Sequence, residues 1–334
     1  MSDGVPAYAM YPPRVVSGMQ PTAAVHLGHY FGALKQHLEF QHEYPGESFF
    51  LIADYHSLTR DGDAKSIRAA TTGLATAYLA LGLDPNKAVL YRQSDVPQTL
   101  ELYWILSRFV TVSELREVPT YTQAAGETSR TAALLAFPVL MAADVLGMRA
   151  TAVPVGKEQD FCIELLRDMG KGFNQRYGVP FFPVPTARFS PSPTVRGLDG
   201  KKMHNGSGNT IGLFDNYATL RRSVGAIRTD TRGRGEAKDP DRCTVFHLFS
   251  LVAPPEEVEQ MRADYGNGGL SYDEAKRKLV GALQERFAEE SERYEELRAR
   301  PGFVEDVLRE GYRAAAEQID ITVDHVRQMV GLTY

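Results

Sequence analysis

In the first half of the chain, short apolar runs alternate with longer segments of helical periodicity. The short runs are predicted to be buried strands; they are Val15–Val16, Ser48–Asp54, Ala88–Gln93 and Thr151–Gly156. Between them, His29–His42 and Ile67–Gly82 carry apolar residues at three- and four-residue steps and are predicted to be helices. Strand–helix–strand alternation indicates a parallel sheet with helices on both faces, which is an α/β domain.

The second half of the chain has a different pattern. Strand signals stop near Val184, and a stretch rich in glycine, proline and serine leads into segments of helical periodicity. Ser271 and Glu274 form a capping box at the start of one predicted helix. Pro301 and Gly311 are expected to interrupt the last helices. The sequence therefore predicts an α/β domain, a glycine-rich hinge and a helical domain.

The composition is that of an ordinary soluble globular protein, with 43% hydrophobic and 24% charged residues among 334. A net charge of −5 argues against a protein that coats nucleic acid by bulk charge, although a local basic patch stays possible. Cys162 and Cys243 have no metal-ligand spacing and are expected to be free thiols. No apolar run approaches the roughly 20 residues that span a bilayer, and the first residues lack the order of a secretion signal. We expect a cytoplasmic protein without a membrane partner.

The segment Ser17–Lys35, "SGMQPTAAVHLGHYFGALK", leads from a strand through a turn to a helix N-terminus. Backbone N–H groups at such a position attract phosphate. Gly28 allows a close approach to the backbone, and His26 and His29 can form hydrogen bonds with phosphate oxygens. The alternative is that the two histidines only cap the helix.

The segment "LLAFPVLMAADVL" is an apolar helix with a single carboxylate, Asp144. A charge in such surroundings needs a partner. An indole N–H is a donor that a carboxylate can accept, and Met141 and Phe137 lie on the same helix face, where they can flank a ring. The alternative is that Asp144 caps neighbouring backbone.

The segment Gly197–Ile211, "GLDGKKMHNGSGNTI", has four glycines and the adjacent lysines Lys201 and Lys202. That make-up is typical of a phosphate-handling loop. A different loop, Arg221–Gly235, carries five arginines. It is either a solvated surface or a contact for the phosphates of a nucleic acid.

Three of these segments resemble one family. Ser17–Lys35 resembles the HIGH signature of class I aminoacyl-tRNA synthetases, and its flanks "SGMQPT" and "LGHYFGAL" resemble those of tryptophanyl-tRNA synthetases of the bacterial type. "PVLMAAD" with "VPVGKEQ" is similar to their tryptophan-binding helix and the strand that follows it. "GLDGKKM" resembles the start of their KMSKS loop, but His204, Asn205 and Gly206 then replace Ser-Lys-Ser.

The resemblance implies a fold, a reaction and a set of site residues. The fold would be a Rossmann-like parallel sheet at 11–209, then an anticodon-binding helical domain at 210–319, with a last helix at about 320–334 that packs back on the sheet. A homodimer would use ATP and Mg²⁺ to activate L-tryptophan and then charge tRNA(Trp). The implied catalytic residues are His26, His29 and Lys202, and no metal ligand is implied. The implied ATP-binding residues are Gln20, Thr22, Gly28, Gly156, Lys201, Lys202 and Met203. The implied tryptophan-binding residues are Val16, His56, Phe137, Met141, Asp144, Val153, Val155 and Gln159.

The altered KMSKS-like loop keeps a second function open. Phe137 stands where the family commonly has tyrosine, and the KMSKS-like loop has lost a lysine. Loss of one charge-stabilising contact typically costs about 10²–10³ in rate. The alternative is a paralogue that binds tryptophan or tRNA but adenylates poorly, as a sensor, a resistance variant or an enzyme of a specialised pathway. A nucleotide-binding redox enzyme is disfavoured, because no G-x-G-x-x-G follows the first strand.

Overall fold

The computed structural model of the protein describes residues 11–22, 24–59, 62–124, 129–190 and 194–333. Within these ranges the sheet has five strands, which are β1 (Val15–Met19), β2 (Ser48–Ile52), β3 (Ala88–Arg92), β4 (Ala152–Val155) and β5 (Thr186–Phe189). Their order across the sheet is β3-β2-β1-β4-β5, and every neighbouring pair is parallel. The predicted α/β class is confirmed.

The strand β5 was not anticipated, and the expectation that strand signals stop near Val184 is wrong. Thr186 pairs with Ala152 and Phe189 with Val155, which places β5 at one edge of the sheet. Three of its four residues are exposed, whereas every residue of β2 is buried. An edge strand with so little burial lacks the apolar run by which the inner strands were recognised.

The helices that follow the strands of the first half are short to medium in length. They are α1 (Leu27–His29), α2 (Lys35–Glu43), α3 (Asp54–Ser57), α4 (Ala64–Ala80), α5 (Gln98–Leu106), α6 (Val112–Arg116), α7 (Pro119–Thr122), α8 (Ala132–Gly147) and α9 (Asp160–Tyr177). A π-helical turn, Tyr30–Leu34, joins α1 to α2. The predicted helix Ile67–Gly82 corresponds to α4, which begins earlier because Asp63 caps it by accepting from the backbone N–H groups of Lys65 and Ser66.

The later helices are α10 (Tyr217–Gly225), α11 (Thr244–Ser250), α12 (Pro255–Asn267), α13 (Tyr272–Arg286), α14 (Ala288–Arg298) and α15 (Pro301–Val330). The predicted capping box of α13 is confirmed: the Ser271 hydroxyl accepts from the backbone N–H of Glu274, whose carboxylate accepts from the Ser271 N–H. Pro301 starts α15 in its first turn, where a missing N–H costs nothing. Gly311 was expected to break a helix, and that expectation is wrong, because α15 continues through it.

The described residues group into two compact units. One comprises 11–22, 36–190 and 300–333 and holds the sheet with α15; the other comprises 24–35 and 194–299 and is mainly helical. This grouping differs from the expected domain ranges 11–209 and 210–319. Residues 24–35 and 194–209 group with the helical unit, and the chain rejoins the sheet unit at 300 and not at about 320. Anticodon binding by 210–319 stays a prediction.

Two smaller observations complete the fold. Cys162 and Cys243 are both buried free thiols. In the part of the chain that the structure describes, no helix has both the length and the apolar character needed to cross a membrane.

Candidate functional site

In the sheet unit, three polar residues and a glycine follow four neighbouring parallel strands at the point where each strand ends. Gln20 follows β1, His56 lies on α3 directly after β2, Gln93 follows β3 and Gly156 follows β4. The Gln20 side-chain amide donates to the backbone carbonyl of His56 at 3.4 Å. Since carboxyl ends of parallel strands share one sheet edge, this edge is where an open α/β sheet normally binds its ligands.

Asp144, on α8, is the centre of this group. Its side chain is buried, and both of its oxygens accept from the Gln93 side-chain amide, at 2.9 and 2.8 Å. The His56 Nε2 lies 3.0 Å from one of these oxygens. An ionised carboxylate only accepts, so the His56 Nε2 carries the hydrogen in this contact. The partners that a buried Asp144 needs are therefore two side chains, and not the neighbouring backbone of the alternative interpretation.

The Gln93 amide is itself oriented by the backbone. Its Oε1 accepts from the Tyr55 N–H at 3.1 Å, which leaves the amide nitrogen to face Asp144. Sequence reasoning placed Gln93 at the end of a strand and gave it no role. A signal was present: an amide that directly follows a buried strand lies at the ligand-binding edge of the sheet.

Burial dominates the electrostatics around Asp144. It raises the pKa of the Asp144 carboxyl group, with a small addition from the charge of Asp54, while the hydrogen bonds and charge interaction with His56 and Gln93 oppose the rise. The pKa of the Tyr91 hydroxyl is also raised, first by burial and then by the charge of Asp144. Asp144 therefore sits in a region of low dielectric, where an added hydrogen-bond donor is strongly attracted.

Apolar side chains predicted for the same site lie together. Val16 and Val153 are buried in one apolar cluster, and Phe137, Met141 and Val155 pack against it while partly exposed. Phe137 and Met141 lie seven and three residues before Asp144 on α8, so the three share a helix face. The Phe137 ring also meets the His56 ring edge-on, with centroids 6.3 Å apart. Gln159 is partly exposed in the 3₁₀ turn after β4, and its N–H donates to the carbonyl of Gly156.

In the helical unit, His26 and His29 form a stacked pair with ring centroids 3.6 Å apart. The His26 backbone N–H donates to the His29 Nδ1 at 3.4 Å, so capping accounts for one nitrogen of His29. The His26 side chain is buried, and neither of its ring nitrogens has a hydrogen-bond partner among the described residues. A buried polar side chain without a partner is rare and points to a missing ligand.

The two histidines are neutral near pH 7. Burial, and then the charge interaction with His204, lower the pKa of His26 to about 4. Burial, with smaller effects of His26 and His204, lowers the pKa of His29 to about 3. Each neutral imidazole carries one N–H donor. The pair can therefore donate hydrogen bonds to an anion without adding charge.

The loop with the two lysines is held against this pair. A Cβ on Gly28 would lie 3.0 Å from atoms of the His26 ring and 3.3 Å from the Met203 Cβ, so the missing side chain makes room for both residues. Met203 is buried, whereas Lys201 and Lys202 are exposed.

Asn209 fixes the backbone of the same loop. Its side-chain amide donates to the Asp199 carboxylate at 2.8 Å and to the Lys202 carbonyl at 3.1 Å, and its oxygen accepts from the His204 N–H at 2.9 Å. Asn209 is buried, which strengthens these bonds relative to water. The Asn209 side chain therefore holds three residues of the loop in place, although the sequence analysis gave Asn209 no role.

The arginine-rich segment of the helical unit is exposed in all five positions, Arg221, Arg222, Arg228, Arg232 and Arg234. Arg232 lies 3.7 Å from Asp230 and Arg234 lies 3.2 Å from Glu274, which neutralises part of the charge. Surface pairs of this kind are weak and exchange readily with other anions. Contact with tRNA phosphates stays a prediction. Among the described residues there is no group of three or more His, Cys, Asp or Glu that could hold a metal ion.

Comparisons with known proteins settle the family. The family model for tRNA synthetases of class I, the W and Y group, matches residues 10–288. The chain belongs to this family. The tryptophan–tRNA ligase of Fusobacterium nucleatum is 38% identical over 322 residues, which cover 96% of this chain and 98% of that protein. The ligase of Rhodopirellula baltica is 38% identical over 321 residues, with 96% and 99% covered.

A solved structure of the family has the same fold. The tryptophanyl-tRNA synthetase of Campylobacter jejuni, crystallised with ADP and tryptophan, superposes with a TM-score of 0.87 at 32% identity and covers 95% of this chain and 99% of that one. The resemblance drawn from three short segments therefore extends over nearly the whole chain. As a member of this family, the chain is an aminoacyl-tRNA ligase with a Rossmann-like sheet and a helical C-terminal region.

Proposed function

We propose that the protein is a tryptophan–tRNA ligase, which activates L-tryptophan with ATP and transfers it to tRNA(Trp). One observation carries the choice of amino acid: a buried carboxylate, Asp144, held by His56 and Gln93 beside the apolar side chains of Phe137 and Met141. The names of the relatives support the same substrate.

Asp144 selects the amino acid through the indole N–H. An ionised carboxylate offers about four lone-pair sites, and His56 and Gln93 occupy three of them by the contacts described. The indole nitrogen takes a further site while its ring packs among Val16, Val153 and Met141. An amino acid without that donor leaves a buried acceptor unsatisfied, so it is rejected strongly. The other tryptophan ligands are Val155, Phe137 and, for the α-amino or carboxylate end, Gln159.

The first chemical step forms the adenylate. An oxygen of the tryptophan carboxylate attacks the α-phosphorus of ATP, the bond from that phosphorus to the bridging oxygen breaks, and pyrophosphate leaves with the bonding electrons. No protein nucleophile takes part, so catalysis consists of positioning and charge stabilisation. His26 and His29 donate to phosphate oxygens as neutral imidazoles, and Lys202 supplies positive charge to the leaving group.

The nucleotide enters as its magnesium complex. Mg²⁺ would neutralise negative charge on the phosphate chain in this step, since phosphate oxygens are ligands that this cation prefers. Besides the three catalytic residues, the residues proposed to hold ATP are Gln20, Thr22, Gly28, Gly156, Lys201 and Met203.

The second step transfers the acyl group. A ribose hydroxyl of the terminal adenosine of tRNA attacks the acyl carbonyl, and AMP leaves. The helical region 210–319, with its exposed arginines, is proposed to bind the tRNA. We propose a cytoplasmic homodimer as the working form.

The test is tryptophan-dependent exchange of pyrophosphate into ATP, followed by charging of tRNA(Trp), with wild type and Asp144→Asn. Wild type is expected to exchange with tryptophan and not with phenylalanine or tyrosine. Asp144→Asn, which keeps the shape and loses the charge, is expected to bind tryptophan about 10–100-fold more weakly. Equal affinity of both forms for tryptophan would contradict the assignment.

One observation favours a second function, a paralogue that binds tryptophan or tRNA but adenylates poorly. His204, Asn205 and Gly206 stand where the KMSKS loop of the family has Ser-Lys-Ser, so one lysine of that loop is missing. Undetectable exchange together with intact tryptophan binding would support this function. A large rise in exchange on Asn205→Lys would show that the loop limits the rate, whereas exchange within about a hundredfold of an ordinary synthetase favours the ligase.

A further inference from the structure

The imidazole of His204 has a fixed orientation within its loop. The backbone N–H of Gly206 donates to the His204 Nδ1 at 3.0 Å. A nitrogen that accepts a hydrogen bond cannot also carry the hydrogen, so the neutral ring of His204 carries its hydrogen on Nε2. The N–H donor of the ring is therefore on Nε2, the nitrogen that the Gly206 N–H does not contact.

The absence of a side chain at Gly206 makes room for that orientation. A Cβ on Gly206 would lie 3.1 Å from the Cε1 and 3.2 Å from the Nδ1 of His204, which is closer than most Cβ atoms lie to any neighbour. The His204 N–H is bound at the same time by Asn209. Two loop residues thus hold the histidine from its backbone and from its ring.

The third part of the arrangement is the histidine pair of the same unit. His204 is close enough for its charge to act on both His26 and His29, and its neighbour Met203 packs beside Gly28 of the pair's segment. The two ring nitrogens of His26 are buried without a hydrogen-bond partner among the described residues. The loop that carries His204 and the exposed residues Lys201 and Lys202 therefore lies beside the segment of the histidine pair.

The chemistry of this group fits a polyphosphate. Phosphate oxygens accept several hydrogen bonds at once and are attracted by ammonium groups. We propose that His204 is a phosphate ligand of the bound nucleotide, whose Nε2–H donates to an oxygen of the β- or γ-phosphate, and that Gly206 is the residue that positions it. This inference rests on the proposed function for the identity of the nucleotide. It gives a role to His204, which stands where the KMSKS loop of the family has its first serine.

The experiment compares His204→Ala, His204→Gln and Gly206→Ala with wild type. The matched control is Ser207→Ala, because Ser207 is exposed in the same loop and its N–H bond to the His204 carbonyl does not use its side chain. One measurement is the affinity for ATP and for AMP, by calorimetry in the absence of tryptophan. The other is tryptophan-dependent exchange of pyrophosphate into ATP, resolved into kcat and the KM for ATP.

We expect His204→Ala to weaken ATP binding about 5–10-fold and to leave AMP binding unchanged, since AMP lacks the phosphates that His204 contacts. The kcat of exchange should fall about 10–100-fold, as for a removed charge-stabilising donor. His204→Gln, which retains a donor, should recover part of the loss. Gly206→Ala should act in the same direction as His204→Ala, and Ser207→Ala should match wild type.

The outcomes separate this inference from the proposed function. Normal exchange in both wild type and His204→Ala overturns the inference and leaves the ligase in place. An equal loss of ATP and AMP affinity in His204→Ala also overturns it, because the residue would then support the loop and not touch the phosphates. No exchange in wild type, with the His204-dependent difference between ATP and AMP intact, overturns the ligase and leaves the phosphate contact in place.

Discussion

Gly311 of α15 lies against Leu90 of β3 so closely that a Cβ on the glycine would overlap the Leu90 carbonyl oxygen. The helix thus approaches the backbone of the strand directly, without a side chain between them. This contact joins the last long helix of the chain to the sheet unit. It also gives a physical reason for a glycine in the middle of a helix, where it is otherwise unfavourable by about 1 kcal/mol relative to alanine.

Substitution of Gly311 by alanine is expected to destabilise the sheet unit. The added methyl group must push α15 away from β3, and overpacking of this kind costs about 1–3 kcal/mol. Gly302→Ala is the matched control, because Gly302 lies in the same helix with nothing within 4 Å of the added Cβ. Urea unfolding measures both. Equal free energies of unfolding for Gly311→Ala and Gly302→Ala would contradict the close contact between α15 and β3.

Gln93 should control both stability and tryptophan affinity. Gln93→Met keeps the size of the side chain but leaves Asp144 with His56 as its remaining described side-chain partner. A buried acceptor that loses its donor costs about 1–3 kcal/mol, and tryptophan should bind about 10-fold more weakly. Calorimetry with tryptophan checks the affinity. The control is Gln98→Met, since the Gln98 Oε1 has no hydrogen-bond partner among the described residues. If Gln93→Met and Gln98→Met bind tryptophan with equal affinity, Gln93 has no role in the pocket.

Tryptophan binding should weaken on acidification at a higher pH than an ordinary aspartate predicts. The pKa of Asp144 is raised above its usual 3.8, mainly by burial. Above that raised pKa the carboxylate accepts the indole N–H, and below it the protonated group is a weaker acceptor. His56, Gln93 and Asp54 act on the same carboxyl group. The dissociation constant for tryptophan, measured as the pH is lowered, should begin to rise in wild type at a higher pH than a carboxyl group with the usual pKa of 3.8 would give.

Asp144→Asn and His56→Gln identify the titrating group. The acid step should disappear in Asp144→Asn, which has no carboxyl group, and should persist in His56→Gln with a shifted midpoint. A step that survives unchanged in Asp144→Asn would assign the titration to another residue.

Acid should also destabilise the helical unit through the histidine pair. The pKa of His26 is lowered from 6.5 to about 4 and that of His29 from 6.5 to about 3. As the pH falls below about 6.5, the unfolded chain takes up these protons first. The contribution of the pair to stability is therefore complete above about pH 6.5 and is lost progressively as the pH falls towards 4 and then 3.

Urea midpoints at about pH 7 and about pH 5 measure this loss. The drop between the two values should be smaller in His26→Gln than in wild type. His42→Gln, a substitution at an exposed histidine of α2, should retain the wild-type drop. An equal drop in all three proteins would show that the pair is not buried as described.

The family was recognisable from three short segments because their chemistry is local. A histidine pair after a strand, a lone carboxylate on an apolar helix and a loop of glycines and lysines each need only neighbours in sequence. The class of the sheet was predictable for the same reason: four strands are short buried runs. β5 and the role of Gly311 were not predictable, since an edge strand and a helix glycine carry no local sign of what they contact.

By itself, the sequence determined the α/β class, four of the five strands and the capping box that begins α13. Tertiary structure decided which of them meet. Gln93 reaches Asp144 from another part of the chain, and Gly311 of α15 meets Leu90 of β3. The reason is physical: propensity and periodicity act over a few residues, whereas a buried hydrogen bond depends on where packing brings two distant segments together.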